Sequence, residues 1–235
     1  AQYGSITSTK EHFYRWKRLD EDDPEPKKNQ PLLPILLAGM LHKQRLLDIV
    51  ENFVLFEKTS NSMKPVRLTE QCGDVTVVVN PPLPPATEAE TDAVYDLPFN
   101  YAPHPRYEKK GAIPAWEMIK FSVNIHRGCF GGCSFCAIAA HQGKFISSRS
   151  EASVMREVEK ISRMDGFKGY LSDLGGPSAN MYRMAGRDRE RCMKCGRPSC
   201  IWPSVCDNLE TSHRELTLLY KKVNSLPYIR KAFIG

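Results

Sequence analysis

Apolar residues recur along the chain with two different periods. Leu36, Leu37, Met40, Leu41, Leu46, Leu47 and Val50 fall at helical spacing, and Phe53-Val54-Leu55-Phe56 has the short apolar form of a buried strand. Residues 75–79 are dense in β-branched side chains and predict a further strand. Pro81, Pro82, Pro84 and Pro85 continue neither helix nor sheet, so an extended arm is expected, and Pro98, Pro103, Pro105 and Pro114 keep residues 98–115 as a loop. Strands are then predicted over 119–125, 169–173 and 229–234. Helices are predicted over 151–163, with Val154, Val158 and Ile161 on one stripe, and over 210–224. Strand and helix alternate at a spacing that argues an α/β fold with a parallel sheet. Four stretches result: a small mixed helical segment over 1–58, a polar join or linker over 59–72, a proline-rich arm over 73–118 and the α/β part over 119–235.

No apolar run reaches the ~20 residues that span a bilayer, and no basic-then-apolar segment opens the chain, so the expected location is the cytoplasm. With 235 residues, 41% of them hydrophobic, and a net charge of +6, the composition is that of a globular protein and excludes a disordered or collagen-like chain. Residues 121–235 carry 18 basic and 10 acidic side chains. That surplus suits nucleic acid or another anion, but no recognised nucleic-acid module accompanies it. Eight cysteines without a secretion signal argue metal binding or thiol chemistry rather than a disulfide framework.

Seven of the cysteines form two clusters. Cys129, Cys133 and Cys136 are spaced C-x3-C-x2-C in a loop whose glycines let three thiolates converge on one point. Three sulfurs leave a zinc site one ligand short, which His126 or His141 would supply, whereas a [4Fe–4S] cluster held by three cysteines keeps one iron open for a ligand. Cys192, Cys195, Cys200 and Cys206 form the other cluster, among Arg187, Arg189, Arg191 and Arg197. Four cysteines within fifteen residues predict a second metal site, zinc or iron–sulfur, with Asp207 and His213 as spare ligands. Cys72 stands alone in the join and is read as a thiol without a role.

The stretch from Phe121 to Cys136, Phe-Ser-Val-Asn-Ile-His-Arg-Gly-Cys-Phe-Gly-Gly-Cys-Ser-Phe-Cys, resembles the YgiQ-like (UPF0313) radical S-adenosylmethionine proteins. So do His141-Gln142-Gly143, Ser148-Arg149-Ser150 and Ser172-Asp173-Leu174-Gly175-Gly176-Pro177, and the likeness runs from about Gly73 to the last residue. The resemblance implies a partial radical SAM β/α barrel. In it Cys129, Cys133 and Cys136 ligate three irons of a [4Fe–4S] cluster, and S-adenosylmethionine chelates the fourth. Reductive cleavage then yields a 5′-deoxyadenosyl radical, with the electron coming from a flavodoxin- or ferredoxin-type donor. Phe135 would pack beside the adenine, and Gly175-Gly176 would meet the methionine amino group. Pro177 stands where the family often has Glu, which passes that contact to the backbone or to Asp173. Cys195, Cys200 and Cys206 coincide with cysteines that recur in the family and are the ones expected to hold the second metal centre, with Cys192, which departs from the pattern, as a candidate fourth ligand. No catalytic side chain is assigned, and the substrate is not legible.

Residues 1–58 resemble something else. Tyr3–Lys10, Phe13–Lys17 and the Leu37–Leu41 and Leu46–Phe53 runs are similar to a segment of type I restriction enzyme motor subunits, yet no G-x-x-x-x-G-K-[ST] phosphate loop is present. With only three predicted strands before the chain stops, a fragment or mosaic with its seam at 59–72 is expected. The alternative is an inert or restriction-related protein with a structural metal site.

Overall fold

The computed structural model describes residues 17–18, 43–72, 75–177 and 179–234. In chain order the elements are β1 (Lys17–Arg18), α1 (Lys43–Ser60), β2 (Leu68–Cys72), β3 (Val75–Val79), α2 (Glu88–Tyr95), α3 (Pro114–Ile119), β4 (Ser122–Asn124), β5 (His126–Arg127), α4 (Ile138–Gln142), β6 (Ser147–Ser148), α5 (Glu151–Ser162), β7 (Tyr170–Leu171), β8 (Asp173–Gly175), α6 (Arg189–Met193), α7 (Arg214–Asn224) and β9 (Lys231–Ala232). The described residues up to 84, with 188–198, form one compact unit, and the described residues of 85–187 with 199–234 form the other. The expected helix positions Leu36, Leu37, Met40 and Leu41 lie outside the described residues, as does most of the 1–58 stretch.

In the first unit β2 runs antiparallel to both β1 and β3, with Leu68 opposite Val79 and Cys72 opposite Val75. Leu68 and Val77 are buried there, and Leu55, Phe56, Val66 and Val79 pack on them. The expected strand over Phe53-Val54-Leu55-Phe56 is instead the C-terminal half of α1. Four consecutive apolar residues carry no period of their own, and here they continue the helical spacing set by Leu46, Leu47 and Val50. As on any helix, the four diverge in direction: Leu55 and Phe56 turn inward, while Phe53 and Val54 are exposed. Residues 59–72, expected to be irregular, end α1 and supply β2.

Glu70 sits half-buried on β2, opposite Val77. Burial pushes its carboxyl up to about 7. The folded chain therefore holds this proton more tightly than the unfolded chain does. The resulting stabilisation is present below the ordinary carboxylate range and is lost as pH rises toward 7. Glu70→Gln is expected to raise the thermal midpoint of this unit at pH 8 relative to the parent and to change little at pH 4. Equal shifts at both pH values would refute the assignment.

The second unit holds the alternating part. Strand β4 pairs in parallel with β8, and β7 pairs in parallel with β9. Ser172 N–H donates to Phe121 O at 3.0 Å and Leu174 N–H to Phe233 O at 2.9 Å, so residues 170–175 run between the other two strands. Helix α5 connects β4 toward β7, and α7 connects β8 to β9. Val154, Val158 and Ile161 of α5 and Leu216, Leu219, Tyr220 and Val223 of α7 bury against Val123, Ile125, Leu171 and Leu174. Ser150 caps α5, its hydroxyl accepting from Ser153 N–H. These are small open sheets, and among the described residues no barrel closes.

Residues 73–118 are less extended than the prolines suggest. Among the described residues only 80–87 lack regular structure before α2, where Thr87 and Glu90 form a reciprocal capping box. Pro105 and Pro114 open a 3-10 turn (Pro105–Lys110) and α3, first-turn positions where a missing N–H costs nothing. Helix α2 and its exit dock through Asp96 with Arg156, Glu88 with Arg183 and Asp92 with Ser150 N–H. No described helix is long and apolar enough to cross a membrane.

Candidate metal centre

The C-x3-C-x2-C loop leaves β5, which pairs antiparallel with β6, and ends in α4. The base of the loop is tied shut. Cys129 N–H donates to Gly143 O at 3.0 Å, and Gly128 N–H donates to the Gln142 side-chain carbonyl at 3.1 Å. Gly128 lies at φ 90°, and a Cβ there would stand 2.4 Å from Phe145 O, so only glycine allows this closure. The sulfurs of Cys129 and Cys133 both lie within 4 Å of the place a Cβ would take on Gly131. Gly131 N–H donates to Cys129 Sγ at 3.4 Å. Cys136 N–H closes a turn onto Cys133 O at 3.0 Å.

Cys129 is buried, Cys133 exposed and Cys136 intermediate. Phe135, expected beside an adenine, is 91% exposed. Among the described residues no three His, Cys, Asp or Glu side chains are assembled as a ready metal site. The donor set nonetheless suits a thiophilic metal group. It offers three thiols on one tied loop, one already accepting a backbone N–H as sulfur ligands of iron commonly do, and a side-chain-free glycine between two of them.

The two histidines separate. His141 is exposed on α4. His126 is fully buried, and its Nε2 accepts from Met181 N–H at 3.0 Å, which places the proton on Nδ1. Burial depresses its pKa to about 4, so the ring is neutral at physiological pH. Neither is arranged as a fourth ligand to the cysteines among the described residues.

Gly175 and Gly176 stand at the end of β8. Asp173 Oδ1 lies 2.9 Å, and Asn180 Oδ1 3.0 Å, from the position of a Cβ on Gly175, and Asn180 Oδ1 also accepts from Gly176 N–H at 3.3 Å. Two side-chain oxygens thus gather over the first glycine, an arrangement attractive to a cationic donor. The space over the second glycine holds the His126 imidazole. The sequence reading missed Asn180, whose signal was its place four residues after Gly176. It also missed Ser199, a buried hydroxyl that donates to Gly131 O at 2.7 Å and accepts from Ile201 and Trp202 N–H. The second cysteine cluster is divided: Cys192 and Cys195 belong to the first unit, on α6 and just past it, and Cys200 and Cys206 to the second. Nothing is described of the Cys72 side chain.

Known proteins can be set beside this geometry. Residues 25–122 match the Radical SAM N-terminal family model. That match ends within β4, just before the cysteine loop, and it enters the 1–58 stretch and spans 59–72. A UPF0313 protein of Bacteroides thetaiotaomicron is 56% identical over 197 residues, which are 83% of this chain and 32% of that protein. One from Porphyromonas gingivalis is 57% identical over 185 residues, 79% of this chain and 29% of that protein. A third, from Bradyrhizobium diazoefficiens, is 50% identical over 182 residues, 77% and 27% respectively. The chain spans about a third of the length of these relatives. No solved structure matches it.

Proposed function

We propose that the chain is part of a radical SAM enzyme of the UPF0313 kind, in which Cys129, Cys133 and Cys136 hold a [4Fe–4S] cluster that binds S-adenosylmethionine. The observation that carries this reading is the tied loop itself. Three thiols in C-x3-C-x2-C spacing follow a strand and precede a helix, with Gly131 clearing the space around two of them and Gly128 letting the loop close against Phe145 O. When bound, such a cluster supplies a reactive iron and a low-potential electron for cleaving a sulfonium, delivered by a flavodoxin- or ferredoxin-type donor.

The chain's own residues have distinct parts. The bonds of Gly143 O and Gln142 to the loop fix its mouth. Gly131 N–H donates to Cys129 Sγ and so fixes where that sulfur points. Asp173 and Asn180 present oxygens over Gly175 that would accept from the methionine amino group, and Gly176 lets the chain pass the His126 ring. Phe135, exposed beside the last cysteine, offers an apolar face for the adenine. The expected likeness of residues 1–58 to restriction motor subunits is not shown, the Radical SAM N-terminal match reaches back to residue 25, and no activity is proposed from that likeness.

Anaerobic reconstitution with iron and sulfide tests this. The 235-residue chain is expected to turn brown, bind iron and sulfide in equal amounts and retain S-adenosylmethionine in equilibrium dialysis. Changing Cys129, Cys133 and Cys136 together to Ala is expected to remove nearly all of the iron at this loop. A colourless protein that takes up zinc through the same three cysteines would favour a structural site instead.

A further inference from the structure

Cys200 and Cys206 share the second unit with the 128–137 loop, and neither is bridged. Cys206 N–H donates to Cys200 O at 2.7 Å, which on standard backbone dimensions caps their Cα separation at about 6.6 Å. That falls within the ~4.4–6.8 Å range that protein disulfides occupy. Both side chains pack on one apolar cluster, made by Cys129, Phe130, Met181, Met184 and Leu209. Both are half-buried, whereas residues 201–205 between them are exposed, so a small reagent reaches the pair from solvent. Among the described residues no third His, Cys, Asp or Glu joins them in a metal-holding group.

We propose that Cys200 and Cys206 form a redox-active dithiol whose reaction partner is a low-molecular-weight disulfide. One of the two thiolates attacks a sulfur of the small disulfide, forms a mixed disulfide and expels one small thiolate. The other cysteine then attacks the protein sulfur of that mixed disulfide, closing the Cys200–Cys206 bond and releasing the second small thiol. The protein dithiol loses two electrons, the small disulfide gains them, and the two protein thiol protons leave with the released thiols or to solvent.

The position of the pair gives the bridge a consequence. Cys200 N–H donates to Phe130 O at 3.0 Å, and Ser199 next to it donates to Gly131 O at 2.7 Å. The 199–206 loop is therefore fastened to the backbone on the C-terminal side of Cys129, and closing the bridge stiffens that support. The proposal rests on these contacts and not on whether the loop carries a cluster, so the two readings fail separately.

The test uses the full chain, prepared anaerobically, exposed to oxidised glutathione, alkylated and mapped by peptide mass spectrometry. Cys200 and Cys206 are expected to lose alkylation together and to appear in one bridged peptide, restored by dithiothreitol. Cys200→Ser and Cys206→Ser are each expected to convert the bridge into a glutathione adduct on the remaining cysteine. The proposal is overturned if both cysteines stay alkylatable, if either bridges to Cys129, Cys192 or Cys195, or if a protein lacking Cys129, Cys133 and Cys136 keeps zinc or iron that is lost on changing Cys200 and Cys206. If both serine variants fold poorly, the parent protein's map alone still decides between bridge and no bridge.

Discussion

Arg149→Leu is expected to cost the second unit about 3–5 kcal/mol, because it strands a buried carboxylate. Arg149 is only 1% exposed and ion-pairs with Glu157, itself buried on α5. The rest of the guanidinium is also used. It donates to Asn124 O at 2.8 Å, to Ser153 O at 2.9 Å and to the Ser153 hydroxyl, and lies 3.9 Å from the centre of the Tyr95 ring. Tyr101 donates to the other Glu157 oxygen at 3.2 Å; burial, reinforced by the Glu157 charge, pushes its hydroxyl up to about 12. One side chain therefore ties α5, the end of β4 and the α2 region together. Lysine cannot replace it, since it lacks the planar fork that meets several acceptors at once. Replacing both partners with apolar residues removes the uncompensated charge, so Arg149→Leu with Glu157→Leu is expected to recover much of the loss. Denaturant midpoints of the two single variants and the double variant measure this. A double variant as unstable as Arg149→Leu would show that the other hydrogen bonds, and not the ion pair, carry the effect.

What could be read from the sequence follows from how local each signal is. Helix α5 was legible to within a residue because Ser150 marks its start and Val154, Val158 and Ile161 mark its buried face within one short window. The cysteine loop was legible for the same reason: its spacing, its glycines and its strand–helix setting all lie within twenty residues. Strand 75–79 stood out by composition alone. The run 53–56 did not, because its true period appears only when the preceding turns of α1 are counted with it. The burial of Arg149 and Lys144 was invisible, since charged residues ordinarily point to water. Their burial depends on partners or packing that only the fold supplies, Glu157 and Tyr95 in the case of Arg149. The glycine pair shows the limit most clearly. Gly175-Gly176 reads as a ligand-facing motif, yet the need for glycine at 176 comes from His126, fifty residues earlier.

That contact yields a second large effect. A Cβ on Gly176 would lie 2.0 Å from His126 Nε2 and 2.2 Å from Cε1, and the imidazole is fully buried. Gly176→Ala must displace the ring and with it the Met181 N–H···Nε2 bond, leaving a buried donor without its acceptor. Overpacking of this kind costs ~1–3 kcal/mol, and the stranded N–H adds about 1–3 kcal/mol more. His126→Ala destabilises by another route, through a cavity and the same lost bond, but it empties the space the new methyl group needs. Gly176→Ala is therefore expected to be nearly neutral in the His126→Ala background, a coupling of more than ~1 kcal/mol in a double-mutant cycle. Acid titration offers an independent readout. Because the folded pKa of His126 lies at about 4, below its unfolded value of about 6.5, its contribution is intact above pH 6.5 and fades as pH falls toward 4. The parent should lose stability over that window faster than His126→Ala does. Strictly additive costs in the cycle, together with parallel acid titrations, would mean that Gly176 is required by something other than the His126 ring.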